Sequence, residues 1–444
     1  MKVKVIRTAK NTGDRLTKLE TLELNGEFNR HSNMIVVSPN ETYQTHIGFG
    51  GAFTEACAYT LSEMPKEKRE EAIKAYFDPK EGLGYTLGRV AINSCDFALG
   101  NYTYVEENDV NLETFDMSHE DKWVVPLIKD AQKVSGTTLK ILGSPWSPPA
   151  WMKSNKNMNF GGKLLPEYYQ VWANYYVKFI EEMKKRGVNI EWISVQNEPQ
   201  AVQTWDSCIY SSEEERDFVR DYLGPTIEKS GLDVGIIVWD HNRDIMVERA
   251  ATILLDKEAN KYVWGVGNHW YVSENFTNLS IVHALFPDKH IIFTEGCQEG
   301  GVHLGAWHTG ERYGRNIIED FNNFSEGFID WNMVLNETGG PNHVNNLCDA
   351  PIIADRNTKE LIYNSSYYYI GQFSKFIRPN AVRIGLVKNT PEGVRATAFK
   401  NEDSSIVVVV QNELDHMETF SLVVNNIGVT VESPEHSITT YIIK

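Results

Sequence analysis

Between residues 46 and 376, eight short apolar runs rich in β-branched residues alternate with longer amphipathic stretches, and no other feature of the sequence restricts the fold as much. The runs are HIGFGGAF from 46, YTLGRVAIN from 85, TLKILGSPW from 138, IEWISVQNEP from 190, VGIIVWD from 234, YVWGVGNHWY from 262, HIIFTEG from 290 and FIDWNMVLN from 328. Nearly continuous apolar runs are strands covered on both faces, which is the situation of a parallel sheet with helical crossovers. Eight regular units close into a (β/α)₈ barrel more readily than they spread into an open sheet, so the expected class is α/β.

The intervening stretches carry helix signals. In PEYYQVWANYYVKFIEEMKKRG, residues Tyr169, Trp172, Tyr176, Phe179 and Met183 recur at three- and four-residue steps, with Pro166 at the start and Gly187 at the end. Ser212 followed by Glu215 reads as a capping box for the helix SEEERDFVRDYL. After residue 376 the pattern changes to strands alone: AVRIGLV, GVRATAF, SIVVVVQ, TFSLVV and ITTYIIK. The opening residues 1–45 hold KVKVIRT, KLETLEL and MIVVS, too little to fold alone. The expected organisation is therefore a catalytic barrel over 46–376 and a β-sandwich built from 377–444 together with the N-terminal strands of 1–45.

A formal net charge of −17 opposes binding to nucleic acid or to an anionic membrane surface. No segment approaches 18 uninterrupted apolar residues, and the first 20 residues lack an apolar core, so neither a membrane span nor a signal peptide is expected. The expected compartment is the cytoplasm, or the exterior if a leader has been removed. Five scattered Cys (57, 95, 208, 297 and 348) without CxxC spacing predict reduced thiols, no zinc site and no cofactor. The expected partner is a small neutral molecule, a glycoside or oligosaccharide.

In a (β/α)₈ enzyme the site lies at the C-terminal ends of the strands. Polar residues collect there: Arg89, Asn93 and Asp96 after the second run, Trp146 after the third, Asn197 and Glu198 after the fourth, His269, Trp270 and Tyr271 after the sixth, Glu295 after the seventh, Trp331 and Asn332 in the eighth. Two carboxylates on the fourth and seventh strands face one funnel, the arrangement needed to cleave a glycosidic bond with one ionised and one protonated carboxyl. Arg89 and Tyr271 are expected to hold Glu295 ionised, and Glu198, among Trp and Asn and away from cations, to keep its proton.

The run GFGGAFTEACAYTLSEM, followed by GLGYTLGRVAINSCDFALGNYTY, LGSPWSPPAWMKSN, VQNEPQ, NHWY, TEGC, DWNMVLNETGGPNHV and FSKFIRP, resembles glycoside hydrolase family 30, in particular its glucocerebrosidase-like branch. The resemblance implies a retaining mechanism with Glu198 as acid/base and Glu295 as nucleophile. It also implies that Asn197 binds the sugar 2-hydroxyl, that Arg89 and Tyr271 support the nucleophile, and that Asp96, Trp146, Trp331 and Asn346 surround the non-reducing sugar. The chain departs from that branch in GGPNHVNN, where His343 and Asn345 stand at positions associated with Trp and Arg, which leaves the aglycone open.

Other residues have two readings. His269 is expected to orient its neighbours by hydrogen bonds rather than hold a metal, since no second ligand stands at suitable spacing. Asp240 and His241 belong either to the site wall or to a turn. Trp307 and His308 either cover the aglycone or pack a loop; Glu55, Cys57 and Cys297 are expected to pack. The expected activity is that of an exo-acting β-glucosidase. The alternatives are a β-xylosidase, a β-fucosidase or 6-deoxyglucosidase, an endo-β-1,6-glucanase or xylanase, and a non-catalytic sugar-binding protein.

Overall fold

A computed structural model describes residues 1–26, 28–30 and 33–444. After β1 (Lys2–Ala9) and β2 (Asn33–Thr45) come eight parallel strands that close into a barrel: β3 (Gly48–Ala52), β4 (Leu87–Ile92), β5 (Lys140–Pro145), β6 (Asn189–Ser194), β7 (Gly235–Asn242), β8 (Val263–His269), β9 (His290–Glu295) and β10 (Gly327–Asn332). All eight apolar runs of the sequence supply these strands. The eighth run is split, because Val334–Asn336 leaves the barrel and joins a small sheet with Ile352–Asp355 and Glu360–Tyr363.

Side chains of period two fill the barrel, and their character changes along the axis. Leu87, Leu142, Trp192, Ile237, Ile292 and Ile329 form a buried apolar cluster from six strands, flanked by the half-buried Ile47 and Trp264. Two residues further along three of those strands stand Arg89, Ser144 and Ser194, all fully buried. An apolar plug thus supports a polar layer, which faces the strand ends where a site forms.

The first barrel strand depends on glycine. A Cβ on Gly50 would lie 2.3 Å from the Leu87 carbonyl oxygen, so only a residue without a side chain lets β3 and β4 approach this closely. Outside the barrel, helix α1 (Tyr169–Lys185) buries Trp172, Tyr176, Phe179 and Met183 and is followed by Gly187 at φ 76°, as its periodicity indicated. The capping box of helix α2 (Ser212–Phe218) is one residue earlier than the sequence reading placed it: Ser211 and Glu214 exchange the two hydrogen bonds. Two serines followed by three glutamates leave that register open in the sequence. Glu215 is instead buried, accepting from the Trp239 N–H at 2.8 Å and pairing with Arg249 at 2.9 Å.

The C-terminal strands β11 (Val382–Lys388), β12 (Val394–Lys400), β13 (Ile406–Asn412), β14 (Glu418–Val424), β15 (Ile427–Ser433) and β16 (Ser437–Ile443) form one side domain with β1 and β2. β15 was not among the sequence expectations. β1 pairs with β16 from Val3↔Ile443 to Ala9↔Ser437, and the 13-residue β2 pairs with β11 along one edge and β14 along the other. Val37, Val408, Phe420, Leu422 and Tyr441 belong to the core of this sandwich. It docks through apolar side chains, Phe399, Val407, Val409 and Ile438 joining the barrel's core cluster, and through polar bonds: buried Gln372, on helix α3 (Ser365–Ser374), donates to Thr8 Oγ1 at 2.9 Å and accepts from Thr440 Oγ1 at 2.6 Å. Trp307 belongs to this joint, not to the barrel mouth, because its indole donates to Tyr369 Oη and the His436 carbonyl while Arg15 covers its face. His308 starts the helix His308–Asn322 and is exposed.

Gly50→Ala should destabilise the barrel by about 1–3 kcal/mol through overpacking, read as a lower thermal midpoint with unchanged far-ultraviolet circular dichroism. An unaltered midpoint would mean that β3 and β4 separate without cost.

Candidate active site

The polar layer begins with Arg89, on β4 and fully buried. Its Nη1 donates to Glu295 Oε2 at 2.5 Å; its Nη2 donates to Asn197 Oδ1 at 2.9 Å and Asp240 Oδ2 at 2.8 Å; its Nε donates to Ser144 Oγ at 3.1 Å. The planar guanidinium fork thereby ties the ends of β6, β7 and β9 to β4 and β5. Two carboxylates balance one cation, and the second cation is His269. Nδ1 of His269 lies 3.0 Å from Glu198 Oε1 and Nε2 lies 3.0 Å from Asp240 Oδ1. Burial alone would lower the His269 pKa, but Glu295, Asp240 and Glu198 outweigh it and raise it to about 9, so the ring carries both protons at neutral pH.

Two neighbouring strand ends, those of β6 and β7, are bent by backbone that non-glycine residues rarely adopt. Glu198 has φ 48°, and Trp239 and Asp240 have φ 72° and 45°. Each such residue costs on the order of 1–3 kcal/mol and persists where its surroundings over-determine it. Here the Glu198 N–H donates to the Asp240 carbonyl at 3.0 Å, locking the two turns together. The bend at 239–240 sends the Asp240 carboxylate to Arg89 and His269, and brings His241 Nε2 to 3.8 Å from Glu198 Oε1.

The Glu198 surroundings differ from the sequence expectation. It is not remote from cations: burial pushes its carboxyl up, but His241, His269 and Arg89 draw it down to a net lowering. On Glu295, burial and the Glu198 charge outweigh His269, Arg89 and the Tyr271 hydroxyl, so its carboxyl is raised, where the sequence reading expected Arg89 and Tyr271 to hold it ionised. Tyr271 donates to Glu295 Oε1 at 2.8 Å, so both oxygens of Glu295 accept a hydrogen bond. One oxygen of each carboxylate and one nitrogen of His269 all lie within 4.8 Å of one another. Strand-end position brought the three members of this grouping to one funnel in the sequence reading; the barrel sets their separations. Its ligand chemistry suits a metal ion, yet Arg89 and the His269 imidazolium already supply the positive charge such a group needs.

Above the carboxylates opens a cavity of about 400 Å³. Trp146 and Trp331 form part of its wall, their rings stacked at 5.2 Å with Arg89 4.8 Å from the Trp146 ring. Asp96 is buried and its Oδ2 accepts from Asn342 Nδ2 at 3.1 Å and Asn346 Nδ2 at 3.0 Å. Burial, with help from Glu295 and Asp206, raises Asp96 to about 7 against those two amides.

Asp96, Trp146, Asn197, Glu198, Tyr271, Glu295, Trp331 and Asn346 all line this cavity, and Arg89 and His269 lie directly beneath it. Asn93 and Asn332 are also buried but face neighbours instead, Asn93 bonding Tyr175 and Ser147 and Asn332 bonding Thr54. Trp270 packs with its indole donating to the Cys297 carbonyl. Glu55 accepts from the Leu99 N–H and pairs with His119; Cys57 is buried in the core. Cys297 lines the cavity, its Sγ 3.6 Å from Tyr271 Oη. Asp240 and His241 are part of the site, and the sequence signal for them was their position at a strand end.

The family model "Glycosyl hydrolase family 30 TIM-barrel domain" matches residues 47–377, and "Glycosyl hydrolase family 30 beta sandwich domain" matches 380–441. The chain is 33% identical over 428 residues to lysosomal acid glucosylceramidase of Mus musculus, covering 92% of this chain and 83% of that one. Among solved structures, SrfJ from Salmonella typhimurium superposes with a TM-score of 0.96 at 34% identity over 100% of both chains. An endo-beta1,6-glucanase superposes with a TM-score of 0.90 at 28% identity, again over 100% of both.

Arg89→Met should lower the unfolding free energy by on the order of 3–5 kcal/mol at pH 7, because it strands buried Asp240 and Glu295. Chemical denaturation checks this; a loss under about 1 kcal/mol would show that the carboxylates find other partners.

Proposed function

Because the chain belongs to glycosyl hydrolase family 30 and is a glycoside hydrolase, we propose that it is a retaining exo-β-glucosidase with Glu295 as nucleophile and Glu198 as acid/base. The observation that carries this reading is the spacing of Glu198 and Glu295, whose nearest carboxylate oxygens lie within 4.8 Å. Retaining enzymes place the two carboxyl groups about 5–5.5 Å apart, whereas inverting enzymes leave about 6.5–9.5 Å for a water between them.

In the first step Glu295 attacks the anomeric carbon as the glycosidic C–O bond breaks, and Glu198 gives its proton to the leaving oxygen. In the second, Glu198 takes a proton from water, whose oxygen displaces Glu295 and restores the original anomeric configuration. In the empty cavity Glu198 is the more acidic of the pair, so a sugar must move their shared proton. A hydroxyl donated to Glu295 stabilises its charge, and an aglycone that shuts water away from Glu198 favours the neutral acid. His269 keeps Glu198 Oε1 occupied, leaving Oε2 to carry the proton. Once the ester forms on Glu295 its charge is gone, and His241 and His269 hold Glu198 ionised for the second step.

Asn197 spends its Oδ1 on Arg89, which leaves its amide N–H₂ for the sugar 2-hydroxyl. Asp96, fixed by Asn342 and Asn346, and the Trp146–Trp331 stack offer hydroxyl contacts and an apolar face for one ring, which supports exo action. Glucose is favoured over xylose or a deoxy sugar because both the glucosylceramidase and the endo-β1,6-glucanase relatives are named for glucose. The likeness to the latter also supports a second reading, endo-cleavage of a β-1,6-glucan by the same residues.

Glu295→Gln should lower turnover by several orders of magnitude in a folded protein, and proton NMR should show the β-anomer released first from an aryl β-glucoside. Near-normal turnover or a first-formed α-anomer would sink the assignment. Glu198→Ala should harm substrates with poor leaving groups far more than activated aryl glucosides; equal losses would remove its acid role. His269→Asn should move the basic limb of kcat/KM upward by on the order of one pH unit, since a cation that lowers the Glu198 pKa is lost. A limb that stays or moves down would contradict that tuning.

A further inference from the structure

Glu198 and the mouth of the cavity are carried by one stretch of chain, and that continuity locates the leaving group. An acid must face the oxygen it protonates, so the aglycone lies against the loop that follows Glu198. Seven residues on stands Trp205, half-buried in the cavity wall, with Gln203 beside it.

This loop is firmly anchored. The buried Asp206 accepts from Ser94 Oγ at 2.6 Å and from Asn101 Nδ2 at 2.8 Å, and its Oδ2 lies 3.1 Å from His343 Nε2. The Asp206 hydrogen bond raises the His343 pKa, which strengthens the pair. Ser207 Oγ donates to the Trp205 carbonyl at 3.0 Å. His343 in turn donates its backbone N–H to the Asp96 carbonyl at 3.1 Å. One clasp therefore joins the loop carrying Trp205 to the wall built by Asp96, and His343, which with Asn345 departs from the glucocerebrosidase-like pattern, closes it.

The rest of the cavity lining is mostly polar. Glu299 lines the cavity, and its carboxylate makes no hydrogen bond or ion pair among the described residues. Its backbone is fixed by an isolated β-bridge to Cys348. Aliphatic side chains contribute only Ala201 and Val272 to the described lining, and Val272 is 63% exposed. An alkyl chain laid here would find little apolar surface and would cover Glu299 without giving it a donor, which is costly. A pyranose offers hydroxyls to Glu299 and Gln203 and an apolar face to the Trp205 indole.

We propose that the mouth of the cavity is a subsite for a second sugar, with Trp205 as stacking platform and Gln203 and Glu299 as hydroxyl partners, held open by the Asp206–His343 clasp. The substrate class is then a β-linked glucose disaccharide or oligosaccharide end rather than a glycolipid. This inference rests on the glucosidase reading above.

The test compares kcat/KM of the full-length protein on three soluble probes: a β-linked glucose disaccharide, octyl β-glucoside and 2,4-dinitrophenyl β-glucoside. The wild-type protein should prefer one disaccharide to the octyl glucoside by at least about tenfold, the effect of about 1.4 kcal/mol of extra contact. Trp205→Ala should lower kcat/KM on that disaccharide at least about ten times more than on the dinitrophenyl glucoside, and Trp205→Phe should recover most of it. Gln203→Ala, a smaller change, should act in the same direction. Octyl glucoside matching or beating every β-linked disaccharide, or a Trp205→Ala loss equal on both kinds of substrate, overturns the subsite. No hydrolysis of any of the three overturns the glucosidase reading itself, and this inference with it.

Discussion

One buried guanidinium holds the centre of this protein together. Arg89 reaches Glu295, Asp240, Asn197 and Ser144 from the barrel axis, and no water stands between it and any of them at 2.5–3.1 Å. A charge taken out of water is expensive unless its partners satisfy it, and partners taken out of water are equally dependent on it. The strand ends are therefore mutually constrained. The left-handed backbone at Glu198, Trp239 and Asp240 persists where the bonds of Asp240 to Arg89 and His269 and of Glu198 to His269 fix the two strand ends.

From this constraint follows the electrostatic logic of the site. Three carboxylates, Glu198, Glu295 and Asp240, share two cations, Arg89 and His269, so the cluster is one negative charge in excess before any proton is added. A single proton shared between Glu198 and Glu295 cancels that excess, and a pair of this kind is suited to passing charge from one carboxylate to the other. The stacked Trp146 and Trp331 and the buried Asp96 add shape above it.

The two layers of the barrel divide the labour. Six apolar side chains from different strands fill the lower interior and bury their area irrespective of what lies above. Arg89, Ser144 and Ser194 sit only two residues further along their strands, so the same period-two alternation that makes a plug also delivers the polar floor of the site. The sandwich, tied by Gln372 to Thr8 and Thr440, joins the first and last strands of the chain on one side of the barrel.

Local patterning by itself determined the eight strands, the aromatic face of α1 and the sandwich strands other than β15, because hydrophobic period and turn residues act within a dozen positions. Position at strand ends was also enough to gather Arg89, Asp96, Trp146, Asn197, Glu198, Tyr271, Glu295 and Trp331 around one funnel. What lay beyond it depended on contacts between residues far apart in sequence. The capping register at Ser211 was undecidable among repeated Ser and Glu. The removal of Trp307 from the mouth followed from its bond to Tyr369, 62 positions away. The two imidazoles at Glu198 came from His241 and His269, 43 and 71 positions on, the first brought there by the backbone bend at Trp239 and Asp240 that no local propensity encodes. Sequence names the groups that can ionise; only the packed barrel decides which of them share a proton, because that is set by separations of a few ångströms between different strands.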